Sequence, residues 1–155
     1  MGAAMTDKGS AHHYAFKIIP EKRLILEVHA GLTNLEASIA IKKEEVQHEL
    51  FSSEYNILTD VRALRFNLNQ RDAHGLFKYV SGRSDISSNK RKVAFLTAKS
   101  EQVAIATIYK MLHKENHHRI HVFSTLEYAL LWLSIDRSEE QIADELKILS
   151  ENLRP

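Results

Sequence analysis

The side chains best suited to chemistry are one carboxylate and three guanidinium groups that follow an apolar segment: Asp60, Arg62, Arg65 and Arg71. Arginines beside a helix N-terminus, whose first backbone N–H groups lack partners, can form a site for an anion. The alternatives are that Asp60 accepts hydrogen bonds from neighbouring backbone N–H groups and that the arginines belong to a solvated loop. Residues 60–80 contain no Ser, Thr or Cys, which excludes those side chains as nucleophiles or phosphate acceptors in this stretch.

The histidines near the middle of the second half form the densest group of potential metal ligands: His113, His117, His118 and His121. Two histidines four residues apart on one helix face can bind a divalent metal. However, the polar residues 114–119 indicate that the helix ends between them. His74 and Asp72 could pair as a base and its orienting group, but no nucleophile is close in sequence. We therefore expect no metal, no cofactor and no catalytic residue.

The composition excludes several classes of function. The chain has no Gly-rich phosphate loop, no G-x-S-x-G sequence and no H-E-x-x-H sequence. Its 21 basic and 20 acidic side chains give a net charge of +1, which does not favour nucleic acid as a partner. No apolar run approaches the roughly 20 residues of a membrane span. We expect a non-enzymatic, cytoplasmic protein that binds neither nucleic acid nor a membrane.

Hydrophobic periodicity predicts alternating strands and helices. Strands are predicted over residues 14–19, 23–30, 56–61, 92–97 and 119–123, and helices over residues 34–50, 69–80, 100–114, 126–133 and 138–153. The second strand alternates like a half-buried strand, and the three-residue connection before it predicts an antiparallel hairpin. The order predicts an α/β fold with a mixed sheet whose edge is antiparallel.

Local sequences refine this prediction. Capping boxes at residues 33–36 and 124–127 predict two helix starts. Lys42 and Lys43 interrupt the apolar stripe of the first helix, so we expect that helix to be more exposed than the others. Residues 81–92 have loop composition and predict a mobile segment. Its basic residues 90–92 either join the anion site or are solvated.

Three segments organise the chain. Residues 1–13, which include His12 and His13, are expected to be a disordered tail, and residues 14–134 are expected to be the α/β domain. Residues 138–153 predict a further amphipathic helix with a narrow apolar stripe: Ile142, Leu146, Leu149 and Leu153. This stripe either packs on its own domain or forms a homodimer or a partner interface.

Two local sequences carry a resemblance to a known family. Residues 60–66, DVRALRF, resemble D-[LV]-S-x-V-x-F, and residues 122–133, VFSTLEYALLWL, resemble V-F-x-T-x-E-x-A-L-x-W-L. With the element order, they make residues 14–133 similar to the STAS domain of bacterial anti-sigma-factor antagonists and sulfate-transporter tails. Antagonists carry a phosphorylated Ser in D-S-S-G, where this chain has Leu68, Asn69, Gln70 and Arg71. The resemblance therefore implies the fold without the phosphorylation switch.

These observations predict a STAS-like interaction module that docks a protein partner through the loop after the third strand and through the second helix. The predicted surface comprises Asp60, Arg62, Arg65, Asn69, Gln70, Arg71 and His74. The alternative is a carrier or sensor of a small anionic or amphipathic ligand, held between the second helix and residues 81–92. A filled core would disfavour the carrier, whereas an internal cavity would favour it.

Overall fold

A computed structural model of the chain describes residues 11–66, 71–88, 90–135 and 139–153. The strands are β1 (His13–Ile19), β2 (Leu24–Leu32), β3 (Asn56–Arg65), β4 (Val93–Leu96) and β5 (Ile120–Phe123), and the helices are α1 (Leu35–Gln47), α2 (Arg71–Val80), α3 (Ser100–Leu112), α4 (Leu126–Trp132) and α5 (Glu139–Ser150). The strands lie side by side in chain order, with β1 antiparallel to β2 and every other pair parallel. The predicted α/β class with an antiparallel edge is confirmed, and it is consistent with a STAS-like fold that carries an extra C-terminal helix.

The strand order determines which helices cover which face of the sheet. Every crossover from β2 to β5 steps in the same direction, so right-handed connections put α1, α2 and α3 on one face. These helices contact one another in sequence, and α3 also contacts β3 and β5. The two helices that follow β5 in the chain cover the opposite face of the sheet. Helix α4 contacts β4 and β5, and helix α5 contacts β1 and β2.

The face under α4 and α5 is an apolar core. Alternate residues of β2, including Leu24 and Leu26, pack there with Leu130, Ile142 and Leu146. The apolar stripe of residues 138–153 therefore packs on its own sheet. Of the two alternatives for this stripe, packing within the domain is the one observed.

The face under α1, α2 and α3 also buries polar side chains. Ile25, Glu27 and His29 point to this face from β2, and Thr59 points to it from β3. All four are buried, so β2 is covered on both sides and the prediction of a half-buried strand is wrong.

Helix α1 differs from its prediction at both ends and along its inner face. Its N-cap is Asn34, whose side chain accepts a hydrogen bond from the N–H of Ala37, rather than the first residue of the predicted box. It ends at Gln47, and its buried residues are Ile41 and Glu45. The inward stripe thus runs through the lysine-bearing side, so the expectation of a more exposed helix is wrong. Helix α4 begins at Leu126 as predicted, but its N-cap is Thr125, the second residue of the predicted box, rather than Ser124.

The N-terminal boundary also differs from the prediction. His13 begins β1 and His12 is buried, so neither belongs to a tail. Residues 1–10 lie outside the described part of the chain. Within the described residues, no helix is both long enough and apolar enough to cross a membrane.

Candidate functional site

A cavity of about 210 Å³ lies between the sheet and the layer formed by α1, α2 and α3. Both layers contribute apolar wall residues, among them Ile57, Val61, Leu76, Val80, Val93 and Phe95. An engineered apolar cavity of roughly 150 Å³ binds benzene. The cavity of this chain therefore has room for a ring with a short polar arm.

The polar part of the cavity is built around Glu27. Its Oε2 accepts a hydrogen bond from Lys42 Nζ at 2.6 Å, and its Oε1 accepts from Thr59 Oγ1 at 3.2 Å and from His29 Nε2 at 3.3 Å. Glu27 is only 1% exposed. A carboxylate this deeply buried stays charged only where it is paired and hydrogen-bonded, and these three donors meet that condition.

The neighbouring carboxyl group of Glu45 has a different charge state. Burial alone would raise the pKa of Glu27, but the Lys42 ammonium and the hydrogen bonds from Glu45 and His29 hold it well below its ordinary value. For Glu45, burial and then the Glu27 charge raise the pKa well above its ordinary value. Its Oε2 has no hydrogen-bond partner among the described residues. We therefore assign the negative charge to Glu27 and a proton to Glu45.

A directed chain of hydrogen bonds connects Glu27 to the start of β1. The N–H of Asn34 donates to His12 Nδ1 at 3.0 Å, so a neutral His12 carries its proton on Nε2. That Nε2 donates to His29 Nδ1 at 2.9 Å, which leaves the His29 proton on Nε2, facing Glu27. Burial lowers the pKa of His12 to about 4, in keeping with a neutral ring at pH 7.

Gly31 permits the close approach that places His12 in the interior. Its φ is +90°, and a Cβ at this position would overlap the carbonyl oxygen of Ala11. Glycine alone combines that φ with the absence of a side chain at low cost. The backbone before His12 therefore passes directly over the end of β2.

Arg91 fixes the loop that forms another wall of the cavity. Its guanidinium donates to the carbonyl oxygens of Tyr55 at 2.6 Å, Ile86 at 2.7 Å and Ser52 at 2.8 Å. Burial lowers the pKa of Arg91, yet a guanidinium remains charged in a protein. Residue 91 is buried, so the prediction of a solvated basic run is wrong at this position.

Two aromatic side chains from the end of α3 also line the cavity. The rings of Tyr109 and His113 lie edge to face, with their centroids 4.7 Å apart. Burial raises the pKa of Tyr109 to about 12, so its hydroxyl keeps its proton. Burial also lowers the pKa of His113, whose Nε2 has no partner among the described residues. Both groups can form hydrogen bonds with a ligand.

Asp60, like the other described residues of the predicted docking surface, lies outside this cavity. Strand β3 continues beyond Asp60 to Arg65, and a register shift against β2 leaves an extra residue on β3. The Asp60 carboxylate accepts from the backbone N–H of Arg62 at 3.1 Å and from its guanidinium at 2.8 and 3.0 Å. The expectation that Asp60 lies at a strand end is wrong. The observed arrangement is the alternative, in which the Asp60 carboxylate accepts hydrogen bonds from a neighbouring residue of its own strand.

Gln102 of α3 stabilises the extension of β3. Its side-chain amide donates to the carbonyl oxygens of Arg62 at 3.0 Å and Leu64 at 2.9 Å, and its Oε1 accepts from the N–H groups of Ala98 and Lys99. Gln102 is fully buried. The predicted loop therefore starts later than expected, after a strand that is held from both sides.

The remaining described residues of the predicted docking surface lie at the end of β3 and on α2. Arg65, Arg71 and His74 are exposed, and Asn69 and Gln70 lie outside the described residues. None of the described members of the predicted surface lines the cavity. Docking of a partner through this surface stays a prediction.

The four histidines of the second half do not converge on one site, although the rings of His117 and His118 lie edge to face with centroids 6.1 Å apart. His113 lines the cavity, the His117 ring contacts the carbonyl of Lys114, and the His121 ring packs on Trp132 at 4.6 Å. In the part of the chain that the structure describes, no group of three or more His, Asp or Glu side chains could hold a metal ion.

Sequence reasoning missed the polar part of the cavity. If β2 were half-buried, Glu27 and His29 would face solvent. If α1 were exposed where its apolar stripe is interrupted, Lys42 would face solvent as well. One signal was present: residues 24–28 are apolar at every position except Glu27, which is typical of a strand covered on both faces. A carboxylate inside such a strand requires a buried hydrogen-bond donor. Lys42, which interrupts the apolar stripe of α1, is a candidate for that donor.

A scan against protein-family models finds no match, and a search of curated proteins finds none either. The resemblance to the STAS domain is therefore carried by the element order and the two local sequences alone. The function has to be argued from the geometry of the chain itself.

Proposed function

We propose that this chain is a non-enzymatic module that binds a small amphipathic molecule in the cavity between the sheet and helices α1 to α3. The observation that carries the proposal is the cavity of about 210 Å³, whose apolar wall meets a cluster of charged and polar groups. Small-molecule sites typically combine such a wall with a few convergent polar groups. The element order also supports our proposal that the module is STAS-like.

The open space beside the apolar wall also supports a binding role. Wall side chains such as Val61, Leu76 and Phe95 face this space, so they lack packing partners on that side. The apolar body of a ligand would supply those contacts.

The hydrogen bonds of the polar cluster favour binding over catalysis. The Glu27 carboxylate already accepts from Lys42, Thr59 and His29. A general base needs a lone pair within reach of the proton that it abstracts. With its oxygens engaged in this way, Glu27 acts as an organising charge for its neighbours rather than as a base.

Filling the cavity tests the proposal. Val61 lines the cavity, whereas Val28 lies in the apolar core of the opposite face, and both are buried. We expect Val61→Phe to change the free energy of unfolding by less than about 1 kcal/mol, because the ring enters open space. The matched variant Val28→Phe should cost about 1 to 3 kcal/mol, because its surroundings are already packed.

Binding is measured with indole as a neutral probe, by NMR titration of the wild type and Val61→Phe. We expect indole to perturb resonances of cavity residues in the wild type and not in the filled variant. Native mass spectrometry of the purified wild type adds a second measurement, since a retained ligand appears as an adduct that Val61→Phe lacks. If indole does not bind and Val61→Phe destabilises as much as Val28→Phe, the proposal is wrong.

A further inference from the structure

The charges around the cavity do not balance. Lys42 and Arg91 line it as cations beside the polar cluster, and the ionised carboxylate nearby is that of Glu27. Arg119 also lines the cavity, and its guanidinium donates to the carbonyl oxygen of Lys90 at 3.1 Å in an exposed hydrogen bond. Lys42 forms its short ion pair with Glu27 at 2.6 Å and lies 3.7 Å from Glu45. Arg91 donates to three backbone carbonyl oxygens, and no ion pair with a carboxylate is found for it among the described residues.

The remaining groups facing the cavity do not supply a second negative charge. Burial and the nearby Glu27 charge keep Glu45 protonated, because they raise its pKa. Tyr109 also keeps its proton, and neither His12 nor His113 carries a charge that could offset a cation. The cluster of Lys42, Arg91 and Glu27 thus has a net charge of about +1, to which the partly exposed Arg119 adds a further positive charge. An unbalanced charge in a buried site is costly.

Both cations have donor capacity beyond the bonds they form. A guanidinium carries five N–H donors and an ammonium three. Arg91 uses three of its donors on carbonyl oxygens, and Lys42 uses one on Glu27. Both cations line the same cavity as Tyr109, and the positive charge of each acts to lower the pKa of Glu45 and of Tyr109.

We infer that the ligand is a small monocarboxylate with a ring or a branched apolar body, whose carboxylate binds between Lys42 and Arg91. This inference rests on the proposed function and adds the charge of the ligand. The carboxylate would neutralise the cluster and use the remaining donors, while the apolar body would pack against the wall that includes Phe95. A cationic ligand would add a second unbalanced charge, and a neutral one would leave the first in place.

Three probes of matched shape test the sign of the charge: phenylacetate, phenylacetamide and phenethylamine. Their dissociation constants are measured on the wild type by calorimetry at pH 7 and constant ionic strength. We expect phenylacetate to bind at least tenfold more tightly than phenylacetamide, and phenethylamine to bind most weakly. Equal or tighter binding of the amide or the amine overturns the inference.

Two paired variants test the assignment of Lys42. Glu27→Gln with Lys42→Met removes the buried ion pair without leaving one partner alone, and should reduce the preference for acid over amide at least threefold. Glu145→Gln with Lys17→Met removes a surface Lys–Glu pair of similar length, 2.7 Å, and should leave the preference unchanged. An unchanged preference in the buried variant overturns the role of Lys42, and if that variant does not fold, the three probes on the wild type still decide the sign of the charge.

The outcomes separate this inference from the proposed function. If indole binds but phenylacetate has no advantage over phenylacetamide, the cavity is a binding site and the inferred charge of its ligand is wrong. If neither indole nor any of the three probes binds, the proposed function fails and the inference fails with it.

Discussion

A single buried carboxylate sets the protonation of its surroundings. Because Glu27 is held ionised by Lys42, the adjacent carboxyl group of Glu45 keeps a proton. The same charge orients His29, which in turn accepts a hydrogen bond from His12. The interior of this face is therefore an ordered set of donors and acceptors, and its order depends on which atoms carry protons.

The buried ring of His12 predicts a specific pH dependence of stability. Its pKa falls from 6.5 to about 4 on folding, so between these values the unfolded chain binds a proton that the folded chain does not. This contribution is complete above pH 6.5 and is lost as the pH falls toward 4. The difference amounts to about 3 kcal/mol. We expect the wild type to lose this much more stability than His12→Asn between pH 7 and pH 4, measured by urea unfolding.

Comparison with a second variant isolates the effect of the buried ring. His118 is an exposed histidine in a short 3-10 turn, so His118→Asn should retain the pH dependence of the wild type. If His12→Asn follows the same pH curve as the wild type, His12 is protonated alike in both states and the directed chain of hydrogen bonds is wrong.

At the scale of elements, periodicity predicted the strands and helices but not which faces are covered. On the second face of β2, Ile25 indicates a covered strand, but Glu27 and His29 are equally compatible with a face that meets water. The decision depends on α1, whose Lys42 reaches Glu27 only after the helix has packed on the sheet. Asp60 shows the same limit, because the extension of β3 is held by Gln102 from an element 40 residues away. Such partners are set by tertiary packing, which a local pattern does not contain.

The turn at the end of β2 provides a prediction about an element boundary. Gly31 and Gly82 both have positive φ values, +90° and +77°. A Cβ at Gly31 would overlap the Ala11 backbone, whereas a Cβ at Gly82 meets no atom within 4 Å. We expect Gly82→Ala to cost about 1 kcal/mol, the strain of the left-handed conformation alone. Gly31→Ala should cost about 2 kcal/mol more, measured by urea unfolding, because the strand start must also move.

The two glycine variants are also distinguished by NMR. Gly31→Ala should shift the His12 ring resonances, because the new Cβ displaces the backbone of Ala11 and the adjacent His12 moves with it. Gly82→Ala should leave those resonances unchanged. Equal costs for the two variants, with no shift at His12, would contradict the close approach of Ala11 to the end of β2.

For the molecule as a whole, the two faces of the sheet have different roles. The face under α4 and α5 is packed with apolar side chains, which favours a role in stability. The face under α1, α2 and α3 contains the cavity and the buried charges, which favours a role in binding. We therefore expect the C-terminal helix α5, which packs on the apolar face, to contribute mainly to stability. The apolar stripe predicted this helix from the sequence. Its role in stability became evident only from the fold, which shows that it covers the sheet face opposite α1, α2 and α3.

Two isoleucines on α5 test this division of roles. Ile142 is 1% exposed and packs in the core, whereas Ile148 is 53% exposed on the same helix. We expect Ile142→Ala to reduce the free energy of unfolding by about 2 to 5 kcal/mol, because it leaves a cavity in a packed region. Ile148→Ala should change it by less than about 0.5 kcal/mol. If α5 instead served mainly to pair two copies of the chain, Ile142→Ala would shift the molar mass in sedimentation and leave a monomer of unchanged stability, which would contradict its packing on the sheet.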